Sequence, residues 1–248
     1  MAPIASRAAS LAPLTAWLLS SGAQLNGCEV AWLGGSMGAG LVATSDLPAG
    51  AAACSVPRRL LLSSSSGLSD PDIGPLLVAL EPFLEDDANL YDASQGLIAL
   101  QVLYAAACVQ RGEPTRWEPY VHSLRGVEVN SPVMWPRAVR NTLLAGTSLL
   151  ADTRELRGNT AGEFRRIRLA LRSSGEGAWL AKLGLDASAS PCPLSGASSS
   201  GADRWLLAQS LVRSRAYFVL DEDDEEEGVE PALCVYARTH AYVQTCLV

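Results

Sequence analysis

Apolar positions along this chain change their period several times, and each change marks a different kind of element. Leu14, Trp17 and Leu18 recur at three- and four-residue spacing, which predicts an amphipathic first helix. Gly22–Gly27 then turns the chain. Glu29–Leu33 and Leu41–Thr44 have the composition of strands, with a glycine-rich turn between them. Asp46-Leu47-Pro48-Ala49-Gly50 makes a second turn, and Ala52–Val56 a third short strand. The opening is thus a β meander, which Pro57–Ser66 leaves.

From Ser69 to about Arg172 the period becomes helical. Ser69 is expected to cap a helix through Leu84, and Ser94 another through Gln110, with Leu97, Leu100, Tyr104 and Cys108 on one face. A third begins near Pro136, a good first-turn residue, and a fourth covers about Leu149–Leu171. Arg154, Arg157, Arg165, Arg166 and Arg168 lie on that last helix, with Arg172 just beyond. They are expected to form a solvated face partnered by acids such as Glu155 and Glu163. Residues 187–202 are Ser, Ala, Gly and Pro by composition, hence a flexible loop. Trp205–Tyr217 is again helical in period, and Glu230–Val235 begins a strand.

Composition narrows the class. With 48% hydrophobic and 18% charged residues in 248, the chain has the makings of a packed core. Its net charge of -7 is concentrated in one run, Asp221–Glu227, and the remainder is nearly neutral. No basic surface of the kind that grips phosphates results, so nucleic acid is not expected as a partner. The acidic run itself is expected to be a solvated loop. The six cysteines are scattered without a CxxC, and there are two histidines, so no metal site is expected.

Such cysteines suit reduced thiols in an intracellular protein, with chloroplast, cytoplasm and nucleus all compatible. Residues 1–13 are acid-free, rich in small residues and carry one Arg, a composition shared by transit peptides and by disordered segments. Leu14–Leu19 is too short to span a bilayer, and no membrane association is expected.

Gly38-Ala39-Gly40-Leu41-Val42-Ala43 has the spacing of a dinucleotide-binding fingerprint. That motif needs a helix directly after the glycines to hold a pyrophosphate. Pro48 and Gly50 leave no room for one. The alternative use of two glycines between strands is a hairpin whose bare backbone can approach a ligand closely, although many such hairpins are only turns.

The surroundings of this hairpin carry a family resemblance. Trp17-Leu18, the Gly38–Ala43 hairpin, Asp46-Leu47 and Val56-Pro57-Arg58-Arg59-Leu60-Leu61-Leu62 come first. Trp117-Glu118-Pro119-Tyr120, Gly146-Thr147-Ser148-Leu149 and Ser214-Arg215-Ala216-Tyr217-Phe218 follow in order. Together, over residues 14–220, these segments resemble SET-domain protein methyltransferases of the Rubisco large-subunit lysine methyltransferase class. The resemblance implies an α+β fold, a partial SET domain of short β-strands in residues 14–248 with a helical insertion at about 69–205. It implies S-adenosyl-L-methionine as cofactor and a protein substrate with a lysine acceptor.

Carried over residue by residue, the resemblance implies that Met37, Gly38, Ala39 and Gly40 touch the cofactor through their backbone, and that Arg215 faces its carboxylate. Met37 stands where the family commonly has an acid. Trp117 and Tyr120 are expected to be packing residues. After Arg215 the family continues into an Asn-His pair and a tyrosine that lines the lysine channel. Residues 236–248 show no Asn-His, and neither Tyr236 nor Tyr242 takes the tyrosine's role, so no catalytic residue is assigned. The expectation is a lysine methyltransferase whose site is incomplete in the chain as written. Its rivals are a non-catalytic SET-like remnant serving as an interaction module and a chain whose last residues are not native.

Overall fold

The computed structural model describes residues 4–34, 38–84, 93–125, 127, 129–186, 191–215 and 233–236, with backbone alone at 4–10 and 233–236. The chain forms two compact units. One joins Met1–Leu62 to Arg215–Val248, and the other is the continuous stretch Ser63–Ser214.

In the first unit, helix α1 covers Ile4–Ser20 and buries Leu11, Leu14 and Leu18, with Trp17 half-buried. It begins inside the segment for which a disordered run was one expectation. Ala5, Ala8, Ala9 and Ala12 supply the reason, alanine being the strongest helix former. The helix ends at Gly22, whose φ of 92° suits a residue without Cβ. Its N–H donates to the Leu19 carbonyl, and the Ala23 N–H reaches back to Leu18 at 3.0 Å.

Five short strands follow: β1 Gln24–Leu25, β2 Cys28–Gly34, β3 Gly38–Ala43, β4 Ala52–Val56 and, from the far end of the chain, β5 Leu233–Tyr236. Strands β2 and β3 form an antiparallel hairpin, and β1, β4 and β5 a second sheet in that order. The turn expected across Gly22–Gly27 therefore holds a two-residue strand. Residues 230–232 of the expected last strand lie outside the described residues. Its remainder pairs with β4, Leu233 opposite Val56 and Cys234 opposite Ser55.

The Ala53 carbonyl ties the two sheets together. It accepts the Asn26 N–H at 2.8 Å and the Cys28 thiol at 2.9 Å, while the Asn26 side-chain amide donates to the Ala52 carbonyl. Burial raises the Cys28 pKa, which keeps that thiol a donor. Cys28, Cys54, Cys108 and Cys192 are all buried.

The second unit is helical: α2 Ser64–Leu68, α3 Gly74–Leu84, α4 Ala93–Arg111, α5 Glu118–Leu124, α6 Arg137–Leu143, α7 Ser148–Ser173, α8 Trp179–Lys182 and α9 Gly201–Arg213. Ser69 does not start the helix through Leu84, which begins at Gly74; it caps the end of α2. Helix α2 itself starts after Ser63, where Ser63 and Ser66 satisfy each other's backbone N–H in a capping box. Helix α4 is the centre, packed by α2, α3, α5 and α9. Leu97, Leu100 and Cys108 of its expected face are buried and Tyr104 half-buried, but so are Ala99, Val102, Leu103, Ala105 and Ala106 around it. A helix apolar all round belongs in a core. Among the described residues it alone is long and apolar enough to cross a membrane, and most of it is buried within its own unit.

Helices α5 and α8, of seven and four residues, were not anticipated. Trp117 packs as expected, buried at the start of α5 with the Arg116 guanidinium 4.7 Å over its ring. The expected loop splits: 187–190 lie outside the described residues, whereas Cys192, Pro193 and Leu194 are buried. Small residues there fill space between helices as well as they would a linker.

Candidate cofactor-binding site

Two of the residues singled out from sequence, Gly38 and Gly40, sit at the start of β3 rather than in the turn before it. The hairpin register pairs Gly34 with Gly38, Trp32 with Ala39 and Ala31 with Gly40, with an irregularity between Trp32 and Gly34. The two glycines are there for different reasons. Gly38 has φ 70°, a left-handed conformation that L side chains resist, and a Cβ placed on it would enter open space. Gly40 has ordinary φ, but its Cβ would come within 3.0 Å of the Leu33 Cδ1. Backbone at Gly38 is therefore open to approach from outside, and at Gly40 it is approached by the protein's own Leu33. Ala39 is half-buried between them, and Met37 lies outside the described residues.

Arg215 follows directly on Ser214, the residue that caps α9 with its N–H on the Ser210 carbonyl at 3.1 Å. It is half-buried. Although α9 belongs to the helical unit, Arg215 opens the second segment of the first unit and so shares a compact body with the β2–β3 hairpin. Gly38, Ala39, Gly40 and Arg215 thus fall in one compact unit. Ala216–Phe218 of the same motif lie outside the described residues, as does Tyr242.

This arrangement offers bare peptide groups and one planar, permanently charged guanidinium. Such a pair suits an elongated polar ligand that carries a carboxylate. Among the described residues no cluster of His, Cys, Asp and Glu is placed to hold a metal. His122 lies 3.4 Å from Glu118 one turn earlier on α5. Leu33 was missed. It is 42% exposed beside Gly40, and its outward position in the β2 alternation was the available signal.

No protein-family model matches the chain, and no curated protein does. Among solved structures, a crystal structure of the SET domain of LSMT bound to lysine and AdoHcy is similar, with a TM-score of 0.59 at 16% identity. The match covers 84% of this chain and 39% of that one, so the chain spans well under half the length of its solved neighbour. Likeness at this identity is a likeness of fold: the chain has an α+β, SET-like fold, short strands with an inserted helical body.

Proposed function

We propose that this chain belongs to the Rubisco lysine methyltransferase-like class of SET proteins and binds S-adenosylmethionine for transfer of a methyl group to a protein lysine. The observation that carries this reading is the left-handed, side-chain-free backbone at Gly38 in the same compact unit as Arg215, within a SET-like fold. The solved neighbour bears lysine and AdoHcy, the demethylated form of the cofactor, which supports both the donor and the acceptor.

S-adenosylmethionine, when bound, supplies a methyl group already activated by a sulfonium sulfur. The protein's part is then to bind and to align. Gly38, Ala39 and Gly40 offer N–H and C=O groups to the polar parts of the ligand, and the φ of 70° at Gly38 fixes the direction in which they point. Arg215 pairs with the carboxylate in a charge-assisted, two-pronged hydrogen bond. An acceptor lysine has to be neutral to attack, so it must be held away from carboxylates and bulk water.

Calorimetric titration of S-adenosylmethionine into the full chain tests the reading. Arg215→Ala should weaken binding by about ten- to a hundredfold, the effect of losing a charge-assisted partner. Gly38→Val should weaken it as well, with folding checked by circular dichroism. Undiminished affinity in both folded variants would remove the site. Radiolabelled methyl transfer to lysine-bearing proteins, abolished in Arg215→Ala, would establish the acceptor.

A further inference from the structure

The helical unit holds a group of arginines that the candidate cofactor site does not use. Arg137 and Arg140 lie one turn apart on α6, and Arg154 and Arg157 one turn apart on α7. The two helices are linked there by a 3.0 Å hydrogen bond from Arg154 Nη2 to Asn141 Oδ1. Arg140 and Arg157 converge on one acceptor, the Val133 carbonyl, and Arg140 donates also to the Trp135 carbonyl at 3.0 Å. Among the described residues, the hydrogen-bond partners of these cations are neutral. Among the described residues no carboxylate stands within ion-pairing distance of any of the four.

For Arg154 and Arg157 this differs from the acid-partnered face expected from sequence. Glu163 is engaged instead by Trp205 and Gln209. The same chain does pair an arginine where an acid is at hand, with Arg111 gripping both oxygens of Glu113 at 2.7–2.8 Å.

Arg140 sharpens the point, being only 8% exposed and having its Nε without any hydrogen-bond partner. A guanidinium so placed keeps its charge in poorly hydrated surroundings beside three like charges. Burial and the nearby Arg157, Arg154 and Arg137 all lower its pKa. Positive potential accumulates over the exposed Arg137 and Arg154, and an anion arriving there would relieve it.

The same two helices also carry exposed apolar side chains. Val139 and Leu143, one turn apart on α6, are 40% and 65% exposed, and Leu149 at the start of α7 is 46% exposed. An inorganic ion has no use for such a surface, whereas a peptide has.

We propose that the α6–α7 arginine cluster is a docking site for an acidic peptide segment of a partner protein, whose carboxylates meet Arg137 and Arg154 and whose aliphatic side chains lie on Val139, Leu143 and Leu149. The site stands apart from the proposed methyl-transfer function and does not depend on it.

The test is fluorescence anisotropy of the full chain with a labelled peptide of alternating glutamate and leucine. Wild type should bind it, with affinity falling as salt is raised from about 50 to about 200 mM. Arg137→Ser with Arg154→Ser should weaken binding by about tenfold or more, and a glutamine-for-glutamate peptide should not bind. Both arginines are exposed, so folding should survive. Leu143→Ser, with every charge intact, should lose about threefold or more and gives an independent reading. Arg215→Ala should bind the peptide normally. Unchanged binding by the double arginine variant, or no binding by wild type, would overturn the proposal. So would full competition by inorganic phosphate together with indifference to serine in place of the peptide's leucines, which would mark a simple anion site.

Discussion

Glu163 shows what one half-buried carboxylate does to this protein. Its Oε2 accepts the Trp205 indole N–H at 2.9 Å and the Gln209 amide at 3.1 Å, and burial raises its pKa more than these bonds and the nearby Arg213 and Arg166 lower it. A carboxyl with a raised folded-state pKa holds its proton more tightly folded than unfolded. Its contribution is therefore neutral at low pH and turns destabilising as pH climbs from the unfolded value, near 4.5, through the folded one. Glu163→Gln keeps an oxygen for both donors and removes the charge. Urea unfolding at several pH values between about 4.5 and 8 should show the variant gaining on wild type as pH rises; a constant difference would mean that Glu163 titrates normally. Glu163→Ala should instead cost roughly 2 kcal/mol even at the acidic end, because two buried donors lose their acceptor. None of this was legible in the sequence, where Glu163 stands among arginines on α7. Its true partners are 42 and 46 residues away, a distance that helical spacing cannot report.

At the scale of elements, the strands were the most legible part, because alternation and the Pro- and Gly-marked turns are local signals. Short α5 and α8 were not, since helices of seven and four residues are held by packing rather than by propensity. Gly96 is instructive in the same way. In a helix otherwise rich in Ala and Leu it looks unfavourable, yet it lets α3 approach α4: a Cβ there would stand 2.7 Å from Leu84 Cδ2 and 3.1 Å from Cδ1. Leu84 is itself buried and has little room to give. Gly96→Ala should therefore destabilise by about 1–3 kcal/mol despite alanine's better helix propensity. Combining it with Leu84→Ala should cost less than the two single changes summed, and simple additivity would argue against the contact. In the hairpin, Gly38→Ala should cost about 1–2 kcal/mol through its positive φ, whereas Gly40→Ala meets only the exposed Leu33 and should cost less. Thermal denaturation of the two variants would rank them.

For the whole molecule, the resemblance read from ordered motifs supplied the fold class, which composition alone could not. The glycine hairpin and Arg215, far apart in sequence, fall in one compact body. What sequence could not supply is where that body ends. Helical period starts at Ser69 by reading, but the unit starts at Ser63, because a serine capping box carries no hydrophobic signal.

The division has a consequence for folding. Among the described residues, nearly all of the largest fully buried side chains, Trp205, Leu77, Leu80, Leu97, Leu100, Leu103, Leu124, Ile167 and Leu183 among them, lie in Ser63–Ser214. So does Arg204, whose Nη1 donates to the Gly184 carbonyl at 2.7 Å and the Asp186 carbonyl at 3.0 Å. The unit's two end helices, α2 and α9, both pack on α4, so its termini are anchored on the same central helix. At about 150 residues it is of ordinary single-domain size, and it is continuous in sequence, so excising it breaks no strand pairing. Residues 63–214 expressed alone should give a helical circular dichroism spectrum and one cooperative urea transition. The first unit has the opposite prospects: its two segments are separated by that entire stretch, and β4 needs β5 from the far one. Replacing 63–214 with a flexible linker should leave a chain that unfolds without a cooperative transition, since joining distant strand segments then carries the loop-closure cost without an ordered body to hold the ends. A broad, non-cooperative melt of the 63–214 fragment would show that its core depends on the strands, the reverse order of dependence.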